Sequence, residues 1–157
     1  IHEDGERKKK TVEFCNIYHG INSKLVSLNY RIATNTLKTA VNRNDSNRIC
    51  MFCKYRQETI YHLFLECKFL DEIRDQMLGY TNAVRKEKET INWRYIIYMQ
   101  NLEYKFEYEI ISIYKKVIWL QAVRSRFDND IPDIKRMKNK YEEDLRFYLM
   151  YIYNKQK

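Results

Sequence analysis

Cys50, Cys53, His62 and Cys67 are the residues whose types and spacing could do chemistry. They read Cys-x2-Cys-x8-His-x4-Cys in the stretch CMFCKYRQETIYHLFLEC. Three thiolates and one imidazole fill the tetrahedral shell of a single Zn²⁺ ion. A filled shell holds a fold together, whereas a catalytic zinc keeps a position open for water. A lone cysteine is commonly a small buried hydrophobe and a lone histidine is commonly packed. Four such residues within 18 positions favour the metal. Disulfides fit less well, because Cys50 and Cys53 are close together and His62 would go unused. Cys15 stands outside the cluster and is expected in the core.

The spacing sets what the surrounding elements must do. The x2 gap lets two sulfurs leave one tight turn, and the x8 gap gives the chain room to reverse. Thr59 is a good N-cap just ahead of an apolar run, so His62 is expected at the start of a helix. The x4 gap is the difficulty. Residues five apart on a regular helix lie roughly 140° apart around its axis. His62 and Cys67 can face one metal only if the helix ends or loosens between Leu65 and Cys67.

Catalysis finds little support. The glycines are isolated, so no phosphate-cradling loop exists. His2 and His19 lack a nucleophile arrangement beyond Cys15 near His19. Asp128, Asp130 and Asp133 could bind a divalent cation, but they fall in a loop before a helical pattern, where capping and the helix dipole explain them.

The 157 residues suit one domain, or one domain plus a small module. The chain carries a net charge of +8 and 14 tyrosines, with three glycines and one proline. Scarce turn residues and abundant aromatics predict a mainly α fold, an irregular helical domain with an embedded Cys-Cys-His-Cys knuckle-like loop. The opening Ile1 suggests a piece of a longer chain. No apolar run approaches a membrane span and no leader pattern opens the chain. Thiols at metal spacing point to a reducing compartment, nucleus or cytoplasm. Between residues 14 and 57, Lys24, Arg31, Lys38, Arg43, Arg48, Lys54 and Arg56 face Asp45 alone. Such a basic stretch attracts phosphate backbones, so these seven are the candidate nucleic-acid contacts.

Residues 1–20 read as a basic lead-in and 21–80 as a helical metal-binding module. Residues 81–90 read as a linker, and 91–157 as a helical bundle packed on the module. Ile21, Leu25, Leu28 and Ile32 predict a first helix, and Thr34 a cap for a short second one with Leu37 and Val41. Residues 42–47 (NRNDSN) form a loop. Ile60, Leu63, Phe64, Leu70, Ile73 and Met77 predict a long helix ended by Gly79. A short helix follows with Trp93, Ile96 and Ile97 inward. Phe106, Ile110, Ile113, Val117, Leu120 and Val123 make the stripe of a long helix, interrupted around Pro132. Ile134, Met137, Tyr141, Leu145, Tyr148 and Ile152 make the last.

Three stretches together resemble one family. Leu28 to Leu37 (LNYRIATNTL) looks like its Arg-Pro-Thr-Leu segment. Cys50 to Phe69 looks like its zinc signature, with Glu58, Thr59, His62, Leu63 and Phe64 in place. Ile113 to Arg126 (IYKKVIWLQAVRSR) looks like its later Trp-Arg helix, with Trp119 near Arg124. In that order they resemble the zinc-binding region downstream of the reverse transcriptase in non-LTR (LINE-type) retrotransposon polyproteins. Ala33 and Lys68 stand where members often have proline; neither is a ligand. The resemblance implies a non-catalytic part of a larger enzyme that helps bind template RNA or target DNA, with the polymerase part as a neighbour. The alternative is a structural or protein-interaction domain that zinc only stabilises.

Overall fold

The helices follow from their apolar spacing, and the segment from Cys50 to Cys67 separates the first of them from the rest. The structure, a computed structural model, describes residues 23–85, 92–100, 102 and 105–155. The lead-in, Cys15, Ile21, His2, His19 and the linker from residue 86 lie outside the described residues, as does the side chain of Ile152.

Among the described residues five α-helices carry the fold: α1 (Ser23–Ala33), α2 (Asp71–Val84), α3 (Trp93–Tyr98), α4 (Lys105–Phe127) and α5 (Ile134–Lys155). Among the described residues the only β pairing is an isolated antiparallel bridge, Ile49 with Gln57. The mainly α expectation holds. Helix α4 is the axis, touching α1, α2, α5 and the turn that carries His62. It is therefore buried nearly all round: Tyr108, Ile111, Tyr114, Ile118 and Ala122 join Ile110, Ile113 and Val117 in the core. A single stripe underestimates such a helix, because a helix packed on several sides needs apolar residues on several faces. Phe106 and Leu120, expected inward, are exposed.

Three other expectations are corrected. Thr34 does not start a helix. Its Oγ1 donates to the carbonyl of Tyr30 at 2.8 Å and closes the end of α1, while Asn35 takes a positive φ of 56°. Residues 34–48 then run through turns, with Leu37 and Ala40 buried as anchors. Asn42 Nδ2 bonds the Leu37 carbonyl at 2.7 Å. Gly79 does not end α2, which continues to Val84 and buries Thr81; residues 81–84 are helix rather than linker. A Cβ at Gly79 would meet nothing within 4 Å, so the glycine neither caps nor admits a neighbour. Trp93 is not inward either. Asn92 caps α3 through its side chain, Ile96 and Ile97 go to the core, and Trp93 stays 37% exposed.

The break before Pro132 is as expected. Asp133 Oδ1 accepts from the Arg136 N–H at 3.1 Å at the start of α5, and Asp130 pairs with Arg136 at 3.0 Å. These are structural roles for the acidic loop.

Candidate metal centre

The knuckle is a tight reversal between residues 48 and 58. The Glu58 N–H reaches the Arg48 carbonyl and the Cys50 N–H reaches the Arg56 carbonyl, both at 2.7 Å. The Lys54 N–H closes the turn onto the Cys50 carbonyl at 3.0 Å. Closure needs left-handed backbone just after the second cysteine, and Lys54 supplies it at φ 59°. Cys50 and Cys53 thereby point to one side.

His62 and Cys67 arrive from the segment the sequence flags as strained. Thr59 Oγ1 accepts the His62 N–H at 3.0 Å, so the expected N-cap is in place. The chain from His62 to Glu66 is a π-helix, not an α-helix. The Cys67 N–H bonds the His62 carbonyl at 2.8 Å, a closure of residues five apart. A regular helix would splay those two residues; the wider turn stacks them over one another. Cys67 is then extended (φ −63°, ψ 117°) and a 3₁₀ turn, Lys68–Leu70, leads into α2. The expected irregularity is present, and its form is a π-bulge.

Widening the helix disturbs the backbone bonding there, and two carbonyls of the segment take side-chain donors. The Tyr114 hydroxyl donates to the Phe64 carbonyl at 2.6 Å and Arg74 to the Cys67 carbonyl at 3.1 Å. Burial pushes the Tyr114 hydroxyl up to about 12, so it remains a donor. Leu63 and Phe64 are wholly buried. Each contributes roughly 1.5–3 kcal/mol, more than the roughly 1 kcal/mol of a regular helical hydrogen bond given up.

The four donor atoms come together. All lie within 4.8 Å of one another, so Cys50, Cys53, His62 and Cys67 could hold one metal ion. The Cys50 and Cys67 sulfurs are 3.9 Å apart and Cys53 Sγ is 3.4 Å from His62 Nε2. The three cysteines are free thiols. Cys50 is raised well above its ordinary value, first by donating to Cys67 and then by burial. Cys67 is lowered, first by accepting that bond. Backbone amides also aim at sulfur: the Phe52 N–H lies 3.4 Å from Cys50 Sγ. Burial lowers the His62 pKa, which favours the neutral ring that a metal requires.

One anchor of this centre is not legible in the sequence. Arg126, in the last turn of α4, donates to the carbonyls of Asn47 at 3.0 Å and Ile49 at 2.6 Å. It also pairs with Glu58 at 3.1 Å, and Glu58 Oε1 takes the Ala40 N–H at 2.9 Å. Glu58 is 1% exposed. This clamp fixes both arms of the knuckle to the helical core. The resemblance pointed to Arg124, which is exposed; the neighbour two residues on does the work.

The basic candidates divide. Lys24, Lys38, Lys54 and Arg56 are exposed and Arg31 is half-buried. Arg43 pairs with Asp45 at 2.7 Å and lies 5.0 Å from the Phe127 ring centre. Arg48 donates to the Asp45 carbonyl at 3.0 Å and to Asn44 Oδ1. Arg43 and Arg48 therefore build the loop that carries the knuckle.

No helix among the described residues is long and apolar enough to cross a membrane. Compared with known proteins, the chain matches no family model, no curated protein and no solved structure.

Proposed function

We propose that the chain is a nucleic-acid-binding zinc module, without catalysis of its own, of the kind found in retrotransposon-type reverse transcriptase polyproteins. Zinc bonds of about 2.3 Å to sulfur and about 2.0–2.1 Å to nitrogen give tetrahedral edges of about 3.8 and 3.6 Å. The 3.9 Å and 3.4 Å separations fit those edges. Soft thiolates with one imidazole also favour Zn²⁺ over harder cations. Four protein donors leave no position for a water, so the ion's contribution is to hold the knuckle in shape.

One observation carries the binding reading. The ligand atoms turn inward while Lys54 and Arg56, from the same turn, stand in solvent. They offer phosphates of template RNA or target DNA a surface that a bound metal would rigidify, and Lys38, ahead of the knuckle, is a further exposed cation. An intracellular setting, nucleus or cytoplasm, suits reduced thiols.

The test is a salt series with the metal-loaded chain. Affinity for RNA and DNA falls steeply with salt, and charge reversal at Lys38, Lys54 and Arg56 together flattens the slope. Arg43 and Arg48 are left alone because they hold the loop. A flat salt response in the unaltered chain removes the reading.

The structural-domain reading has its own observation. An apolar groove of about 930 Å³ lies between α2, α4 and α5, lined by Tyr80, Val84, Phe106, Ile110, Leu145 and Leu149. Docking of the polymerase part of a parent polyprotein there would make the zinc a staple only. Binding to protein with no affinity for RNA or DNA selects it.

A further inference from the structure

Tyr61, Trp93 and Tyr98 make a run of rings across the seam between the turn that carries His62 and α3. The Tyr61 and Trp93 centroids are 5.6 Å apart at 59°, and those of Trp93 and Tyr98 are 5.6 Å apart at 60°. Tyr98 is buried and anchors the run, while Tyr61 and Trp93 keep 41% and 37% of their surface in solvent. The Asn92 cap holds Trp93 at the first position of α3 through bonds of 3.0 and 3.2 Å to the Arg94 and Tyr95 amides. The Arg94 guanidinium lies 5.2 Å from the Trp93 ring centre. On the knuckle, Tyr55 is 77% exposed with Arg56 at 5.4 Å from its ring centre.

The metal centre ties the two sets together. Tyr61 precedes His62, and Lys54 and Tyr55 follow Cys53, whose sulfur is 3.4 Å from His62 Nε2. Ligation of His62 and Cys53 fixes the backbone that carries both. Residues 46–57 contain no acid, and Glu58 is buried against Arg126. Fixed, exposed rings paired with guanidinium groups suit unpaired bases, which stack on aromatic faces while cations hold the phosphates. A duplex keeps its base faces on one another and offers these rings only its edges and backbone.

We infer that Tyr61, Trp93 and Arg94, with Tyr55 and Arg56 on the knuckle, bind single-stranded nucleic acid by base stacking. The inference rests on the nucleic-acid reading above and narrows it from any phosphate backbone to an unpaired strand. A proline-rich peptide also seeks aromatic faces, but it has no use for the flanking cations Lys54, Arg56 and Arg94.

The two tryptophans make the test direct. The metal-loaded full chain is titrated with a homopyrimidine oligonucleotide of about twelve nucleotides, and with a duplex of equal length. The single strand quenches tryptophan emission. Trp93→Phe, which leaves only Trp119 as reporter, abolishes the quench but retains affinity by anisotropy, because phenylalanine still stacks. Trp93→Ala and Tyr61→Ala each weaken single-strand binding roughly ten-fold and leave duplex binding unchanged. Metal stoichiometry by native mass spectrometry confirms that each variant is folded. Full single-strand affinity in the Tyr61→Ala, Trp93→Ala double variant overturns the stacking inference and leaves the nucleic-acid reading standing. So does a duplex bound as tightly as the single strand. Binding of neither ends both. A quench by a proline-rich peptide without one by the oligonucleotide places a peptide on this face and overturns the inference.

Discussion

At the residue scale the centre depends on two side chains that ligate nothing. Arg126 and Glu58 are both largely withdrawn from water, with side chains 10% and 2% exposed. Removing Arg126 leaves the Glu58 charge buried and takes this donor from the Asn47 and Ile49 carbonyls. Arg126→Met is expected to cost about 3–5 kcal/mol of unfolding free energy and to weaken metal binding, because the arms bearing Cys50 lose their hold on α4. Urea unfolding at fixed free metal, with a chelator competition, measures both. The double variant Arg126→Met, Glu58→Met is expected to recover part of the loss, since no lone charge remains. Lys54 gives a prediction with opposite signs. Its φ of 59° suits glycine, so Lys54→Gly stabilises the metal-loaded chain by about 0.5–1 kcal/mol while weakening nucleic-acid binding and lowering the salt slope by about one. If affinity is unchanged, Lys54 does not contact phosphate. The four candidate ligands were legible because donor type and spacing are local facts. Arg126 was not: its partner Glu58 is 68 residues away, and its neighbour Arg124 has the same chemistry.

At the element scale the π segment decides whether His62 and Cys67 converge. Its irregularity was legible, because five-residue spacing on a helix is a geometric conflict. The partners that relieve it were not, because Tyr114 lies 50 residues on. Tyr114→Phe keeps the ring and removes the donor to the Phe64 carbonyl. It should cost about 1–3 kcal/mol and lower metal affinity, read by competition with a chromophoric chelator; an unchanged affinity would mean the bulge holds without that bond. Helix ends were read less well. Gly79 has a cap's identity but sits where Ile73, Met77 and Thr81 keep the helix buried on both sides of it, so packing outweighs the roughly 1 kcal/mol cost of a helical glycine. The turn-rich loop ahead of the knuckle has a pH dependence of known sign. The bond from Arg43 holds Asp45 below its ordinary 3.8. The unfolded chain therefore takes up this proton first as pH falls. The stabilisation is complete above about 3.8 and disappears as pH drops through the lower folded value. Carboxyl NMR titration should place Asp45 below free aspartate, and Arg43→Gln should raise it toward the ordinary value.

At the scale of the whole molecule the question is whether the metal holds a loop or the fold. Cys50, Phe52, Ile60, Leu63, Phe64 and Cys67 belong to the same buried cluster as Leu25 and Ile32 of α1, Ile73 and Met77 of α2, Ile113 and Ile118 of α4 and Tyr141 of α5. Tyr114, from the central helix, reaches both the π segment through its hydroxyl and Tyr141 through its ring, with centroids 6.4 Å apart. A segment so embedded cannot open alone without exposing wholly buried side chains such as Leu63, Phe64 and Leu70. A metal held only by the folded donor set would stabilise the molecule by about 2.7 kcal/mol at a free concentration of 100 times its Kd. Chelation is therefore expected to lower Tm as one transition. Helical circular dichroism and, in the Trp93→Phe chain, the emission of Trp119, on α4 and remote in sequence from the knuckle, should melt together with and without metal. Two separated transitions in the chelated chain would show that the helices stand without the knuckle. In that case nucleic-acid affinity should fall on chelation while the helical signal survives, and the comparison of the two signals against free metal measures how far binding and folding share one ion.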